Sequence, residues 1–250
     1  MRFIYIHPMP KPKPPLPNTT GPMRLNRYLA HAGIATRREA DALIEQGRVF
    51  VNGEKAKLGM RVTDADDISV EEANRRKLTY LAYYKPRGII THSPQGLKER
   101  AINDIVEMPG VFPVGRLDKA SEGLIILTND GRVTERLLHP RFAHEKEYEV
   151  SVQEAIAPKK LILLEQGIVD QGERLTAKKA TLTSQHTLSI TLTEGKKHQI
   201  RRMLAALHLT VVSLKRVRIM QVHLGALKPG QSRPLAGIAK EAFLRDLDLQ

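Results

Sequence analysis

Phe112-Pro-Val-Gly-Arg-Leu-Asp-Lys-Ala-Ser-Glu-Gly-Leu-Ile-Ile-Leu-Thr-Asn-Asp-Gly131 is the stretch on which the reading of the chain turns. Apolar runs at Val111–Val114 and Gly123–Thr128 read as two strands, and Gly115 to Asp118 as a polar loop between them. Arg116 and Asp118 are two residues apart, so in extended geometry both side chains point to one side. A carboxylate beside guanidinium groups keeps its charge, and an ionised Asp in a cleft can serve as nucleophile or base. The same loop could equally hold a structural ion pair at a turn.

The pattern continues outward in both directions. Leu78 opens a strand that runs through Tyr80, Ala82 and Tyr84 and stops before Pro86. Lys146–Val152 alternates with Tyr148, Val150 and Val152 on one face, and Leu188, Ile190 and Leu192 alternate likewise. Helical spacing falls at Val133, Leu137 and Leu138, at Leu161 and Leu164, and at Ile200, Met203, Leu204 and Leu207. Strands dominate with helices interspersed, which predicts an α+β domain around a mostly antiparallel sheet over residues 80–250.

A smaller module precedes it. Leu25, Tyr28, Leu29 and Ala32 form the stripe of a short helix that Gly33 stops. Thr36 and Glu39 are spaced as a capping box for a second helix that buries Ala40, Leu43 and Ile44. A strand from Arg48 then enters an Asn52-Gly53 turn. The module spans 23–72, and a polar linker covers 73–79. Residues 1–22 hold 7 of the 15 prolines between Pro8 and Pro22 and read as a disordered tail, with Met23 an alternative translation start.

Charge and composition narrow the function. Of 250 residues, 40 are Lys or Arg and 27 Asp or Glu, a net charge of +13 that calls for a polyanionic partner. Lys196 to Lys240 holds ten basic residues and no acid, which points to nucleic-acid contact. From Arg24 to Arg61 there are eight basic residues against four acids, so the helical part of the small module is its basic face. No apolar run reaches the ~18 residues of a membrane span. Cys is absent, which excludes disulfides, thiol nucleophiles and cysteine-bound metals and fits a reducing compartment such as the cytoplasm. Neither the His spacing nor any Gly-rich loop suggests a metal or phosphate-loop site.

The phrase at 112–131 resembles motif I of the pseudouridine synthases, in the branch typified by the ribosomal synthases RsuA, RluB, RluE and RluF. Gly195-Lys-Lys-His-Gln-Ile-Arg-Arg-Met203 resembles the late basic motif of that family, and His144-Glu-Lys-Glu-Tyr148 its tyrosine motif. Residues 24–70 resemble the S4 RNA-binding module that precedes the catalytic domain in most of the branch. Val111–Lys119, His144–Tyr148 and Arg218-Ile-Met resemble the RluF type, which acts on large-subunit rRNA.

The resemblance implies a small S4-like module joined to a synthase domain, and isomerisation of a uridine in rRNA, of the 23S class, without metal or cofactor. A monomer is expected. The resemblance assigns Asp118 as the catalytic aspartate, Tyr148 as the ring that stacks on a flipped base, and Arg201 as the basic partner of the carboxylate. Arg116 corresponds to an arginine that enters the RNA stack. Arg24, Arg27, Arg37, Arg38, Lys196, Lys197 and Arg202 are the expected RNA contacts. Two other readings stay open: a non-catalytic S4-type rRNA-binding or assembly protein, and a synthase acting on 16S rRNA or tRNA.

Overall fold

The computed structural model describes residues 3–6, 22–32, 34–71, 78–91, 100–106, 108 and 110–249. The chain divides into two compact units, Met1–Thr79 with Asn129–Glu135 and Leu249, and Tyr80–Thr128 with Arg136–Asp248 and Gln250. No helix among the described residues is long and apolar enough to cross a membrane.

The first unit carries β1 (Phe3–Ile6), β2 (Met23–Arg24), α1 (Leu25–His31), α2 (Arg37–Glu45), β3 (Val49–Val51), β4 (Glu54–Lys55), β5 (Arg61–Val62) and β6 (Ile68–Glu71). The stripe on α1 packs as its spacing requires: Leu25, Tyr28 and Leu29 join Ala40 and Ile44 of α2 and Val49, Val51, Ile68 and Val70 in one buried cluster. At the start of α2 the Thr36 hydroxyl accepts from the Glu39 amide, and the Glu39 carboxylate accepts from the Thr36 amide at 2.9 Å. Asn52 and Gly53 both take positive φ, the conformation that a tight hairpin between right-twisted strands demands. Gly33 lies outside the described residues.

The sheet order here is β1-β6-β3-β4, every pair antiparallel. Phe3–Ile6 is thus an edge strand registered on Ile68–Glu71, where the sequence suggested only tail. The aromatic and β-branched side chains of Phe-Ile-Tyr-Ile favour strand, and the proline spacing that argued for an extended tail starts only at Pro8. The proline-rich residues 8–21 lie outside the described residues.

The second unit is built on one mixed sheet. Its strands are β7 (Tyr80–Lys85), β8 (Phe112–Val114), β9 (Glu122–Thr128), β10 (Lys146–Val152), β13 (Lys179–Ser184), β14 (Thr187–Leu192), β15 (Val211–Ile219), β16 (Val222–His223) and β17 (Ser232–Pro234). A separate hairpin pairs β11 (Ile168–Asp170) with β12 (Glu173–Leu175). Helices α4 (Pro158–Gln166), α5 (Gln199–Ala206) and α6 (Gly237–Asp246) complete its inventory, and α3 (Gly131–Leu138) is divided between the two units.

The main path runs β13-β14-β10-β15-β9-β7-β17, with β8 on β9 and β16 on β15. Of these pairings only β15–β9 is parallel, so the mostly antiparallel α+β expectation is met. Gly123 makes that one crossing feasible. A Cβ there would lie 2.3 Å from the Arg216 carbonyl oxygen, and its φ of +107° is closed to other residues. On one face of the sheet Tyr148, Val150 and Val152 join Ile190, Leu164, Ile200 and Met203 in the core. On the other face Glu147 and Glu149 meet Arg218 and Lys215.

Candidate active site

The polar loop that the sequence singled out lies between β8 and β9 and is fixed from three directions. Leu117 points inward and joins the core cluster of Tyr148, Ile200 and Leu214. The Ser121 amide donates to the Asp118 carbonyl at 3.0 Å, closing a tight turn over Asp118–Ser121. Thr91, only 4% exposed, grips the backbone: its hydroxyl accepts from the Leu117 amide at 3.0 Å and donates to the Leu117 carbonyl at 2.8 Å. The Gly88 amide adds a bond to the Lys119 carbonyl at 2.7 Å.

The 86–89 segment behind that loop is organised by a charge. Lys85 is fully buried, and its ammonium donates to the carbonyls of Pro86 (2.9 Å) and Ile89 (2.6 Å). Burial pushes its pKa down to about 8, against the upward pull of the Asp118 and Glu122 charges. Beside it, the Tyr84 hydroxyl donates to Glu122 at 2.9 Å; burial and that bond push the phenol up to about 12.

Because Leu117 turns inward, Arg116 and Asp118 turn outward together. Both line a cleft of about 380 Å³, with Tyr148, His198 and Arg201 on its other walls. Tyr148 is buried on β10, between Ile190 of β14 and Arg216 of β15. The β10–β15 register slips between Glu147 and Tyr148, so Val217 has no opposite number. Such bulges redirect the side chains beside them.

The fourth wall is the turn into α5. His198 holds a left-handed φ of +52°, an unusual conformation for a residue with a Cβ. Its ring reaches Asp118, Nε2 to Oδ1 3.5 Å, with the imidazole 50% and the carboxylate 42% exposed. The expected Arg201–Asp118 ion pair is not formed in this structure. The Arg201 guanidinium donates to the Ala120 carbonyl at 3.4 Å, and the cation-capable group at the carboxylate is His198. The late basic motif thus contributes two walls rather than one, and sequence reasoning missed His198 because it weighed histidines only as metal ligands.

The remaining expected contacts divide. Arg24, Arg37, Arg38 and Lys197 are exposed cations, as an RNA contact requires. Arg202 is not one: it is tied to Asp170 (2.5 Å) and Glu173 (2.7 Å) of the β11–β12 hairpin, so its charge is already matched. Lys196 is also engaged, on the Arg174 carbonyl at 2.6 Å and near Glu173 and Glu194. Arg27, within the first unit, donates to Glu135 at 2.7 Å, and Glu135 also accepts from His31. The His31 bond and the Arg27 charge hold the Glu135 carboxyl down to about 2.

The acid-free run Lys196–Lys240 is accordingly not one basic surface. Lys215 and Arg218 take acids from β10, Glu149 at 2.9 Å and Glu147 at 2.8 Å, which are distant in sequence and adjacent in the sheet.

Residues 79–206 match the model for RNA pseudouridylate synthase, and residues 23–68 match the S4 domain. The chain belongs to the RNA pseudouridylate synthase family. Its members are isomerases that act on RNA, and the pairing of S4 module and synthase domain is the α+β architecture described above. The chain is 36% identical over 224 residues to the ribosomal large subunit pseudouridine synthase B of Bacillus subtilis, covering 85% of this chain and 91% of that protein. It is 37% identical over 218 residues to the dual-specificity RNA pseudouridine synthase RluF of Escherichia coli K12, covering 85% and 75%. A crystal structure of a pseudouridylate synthase superposes with a TM-score of 0.65 at 28% identity, covering 90% of this chain and 99% of that one. Family membership removes the reading of the chain as a non-catalytic S4-type binder.

Proposed function

We propose that this synthase isomerises a uridine of 23S rRNA, with Asp118 as its nucleophile. The reading rests on one observation above all: Asp118, Tyr148 and Arg201 converge on one cleft of the second unit, although 83 residues separate the first from the last. Uridine C1′ and uracil C5 are not reachable inside a stack, so the nucleotide must be extruded at a cost of a few kcal/mol. Stacking on the Tyr148 ring offsets about 1–3 kcal/mol of that cost. Arg116, exposed at the mouth of the cleft, is placed to fill the gap the uridine leaves.

Asp118 attacks ribose C1′ or uracil C6. The C1′–N1 bond breaks, the uracil rotates and a C1′–C5 bond forms; the bond to Asp118 breaks as C5 displaces it from C1′, or by elimination afterwards if the attack was at C6; C5 gives up its proton and N1 gains one, so the free carboxylate returns. Atoms balance as an isomerisation, so no oxidant, reductant or metal is called for. His198 reaches the carboxylate, and Arg201 lines the same cleft, where a cation can steady negative charge as the intermediate forms and collapses. The exposed Arg24, Arg37 and Arg38 of the S4 module supply a second RNA contact and raise the effective concentration of the target.

The B. subtilis relative is named for the large ribosomal subunit, which favours 23S rRNA. The E. coli relative is named dual-specificity, which keeps a second RNA substrate within the reading. The test is tritium release from 23S rRNA carrying uridine tritiated at C5. The wild-type chain should release a stoichiometric fraction of one residue. Asp118→Asn should release none while binding the RNA within a few-fold of wild type, and turnover by that variant would remove Asp118 from the chemistry.

A further inference from the structure

Tyr148 also lines a second cavity, of about 580 Å³, whose lining does not include Asp118. Tyr148, Arg116, Gly195 and Lys196 border both spaces, so the two adjoin. Val114, Leu138 and Ile219 supply apolar walls, and the polar groups that face in are nearly all cationic or donors. Arg216 is 4% exposed; its Nε donates to the Leu124 carbonyl at 2.7 Å, and its Nη2 is buried with no partner. Lys146 sits near it, and its ammonium makes one bond among the described residues, to the His144 carbonyl at 3.2 Å. The His144 Nε2 is likewise buried without a partner. Glu194 is the one carboxylate on the lining, and it is occupied by Gln199 at 2.8 Å and Lys196 at 3.5 Å.

Two like charges held together away from water destabilise a fold unless something outside neutralises them. Several buried or half-buried cations of this unit have an acid or two carbonyls: Arg202, Arg218 and Lys215 have acids, and Lys85 has Pro86 and Ile89. Lys146 and Arg216 differ. A neutral base would leave their charges unmatched; an anion would not. A cavity of this size lies within the ~300–1,000 Å³ of small-ligand sites, ample for a phosphodiester group.

We propose that this cavity is an anion subsite, in which Lys146 and Arg216 take the RNA phosphodiester next to the extruded uridine. The inference rests on the RNA reading above. It adds the point at which the backbone is held, so that the base falls in the cleft that Asp118 lines and the phosphate in the adjoining cavity. Arg116, at the border of both spaces, then spans the two.

The experiment uses the full chain, with Lys146→Met to remove the charge at equal length and Lys146→Arg to restore it. RNA affinity is measured against KCl concentration. The Met variant should bind about tenfold more weakly at fixed salt, as loss of a charged hydrogen bond implies. Its slope of log affinity on log salt should shrink by about 0.7–0.9, the value of one phosphate contact. The Arg variant should recover both.

Thermal unfolding separates this from a structural role. Sodium phosphate should raise the melting temperature of the wild type and not of Lys146→Met, which should melt at or above the wild type in its absence. Three results overturn the proposal: an unchanged affinity and slope in the Met variant; a Met variant that melts well below wild type; or phosphate stabilisation of the wild type with RNA affinity untouched by the substitution, which would assign the cavity to a free anion. If the wild-type chain itself releases no tritium from rRNA, the synthase reading on that substrate fails; if it does and Lys146→Met matches it throughout, the subsite alone fails.

Discussion

Thr91→Val should cost this enzyme either stability or rate, and the structure says how much. The Thr91 hydroxyl satisfies both backbone groups of Leu117, at 3.0 and 2.8 Å, where water does not reach. Valine has the same shape and offers nothing to either group. Each orphaned buried group costs about 1–3 kcal/mol, so a loop that stays in place loses roughly 2–6 kcal/mol over the two groups. For a chain of this size that is a fall in melting temperature of about 4–24 °C, at roughly 2–4 °C per kcal/mol.

If the loop instead relaxes to find other partners, Asp118 moves with it. A displacement near 1 Å can cost about a hundredfold in rate. Single-turnover tritium release at saturating enzyme reads the second outcome and thermal unfolding the first. Thr91→Ser keeps the hydroxyl and should recover most of the loss in either measurement. A valine variant with wild-type melting temperature and wild-type single-turnover rate would refute the reasoning that Thr91 holds the loop.

Gly123→Ala should unfold the second unit or lower its melting temperature by more than any other single change considered, because the new Cβ meets the Arg216 carbonyl at 2.3 Å; circular dichroism on heating decides this. Arg202→Ala should lower the melting temperature, through loss of Asp170 and Glu173, yet leave the salt slope of RNA binding intact, whereas Lys197→Ala should do the reverse. Burial pushes both Lys85 and Lys146 down to about 8, so between pH 8 and the ordinary lysine value near 10.4 the unfolded chain holds more protons than the folded one, and stability should rise with pH across that window. RNA affinity should move the opposite way above pH 8 as Lys146 discharges, and Lys146→Met should flatten that fall in a binding titration.

Much of this fold could be read from local spacing. The strand–loop–strand at 112–128, the Thr36–Glu39 cap and the alternation of Lys146–Val152 all depend on neighbours within a few positions, and each took its expected form. Long-range matters were not legible. Thr91 and Lys85 look like an ordinary loop hydroxyl and a strand-end lysine; only the tertiary fold buries them behind Leu117 and Asp118. Arg201 and Arg202 are adjacent and chemically identical, but the roughly 100° between neighbours on α5 sends the second onto the β11–β12 hairpin, which no periodicity announced. The acid-free run misled for the same reason: its counter-charges, Glu147 and Glu149 of β10 and Glu145 just before it, are distant in sequence and adjacent in the sheet.

The bulge at Val217 is a further case. It falls where Tyr148 and Arg216 face each other, and no local pattern in Val211–Ile219 marks it. The site residues drawn from motif order reached one cleft; the ring that stands nearest Asp118, His198, had to be found from the left-handed turn that aims it.

The most direct measurement is a map of pseudouridine in 23S and 16S rRNA, by carbodiimide labelling and primer extension, from cells with and without this gene. The account predicts that one stop in 23S rRNA disappears with the gene, returns with the wild-type copy and does not return with Asp118→Asn. An unchanged map of both rRNAs, or restoration of the stop by the Asn variant, would contradict it.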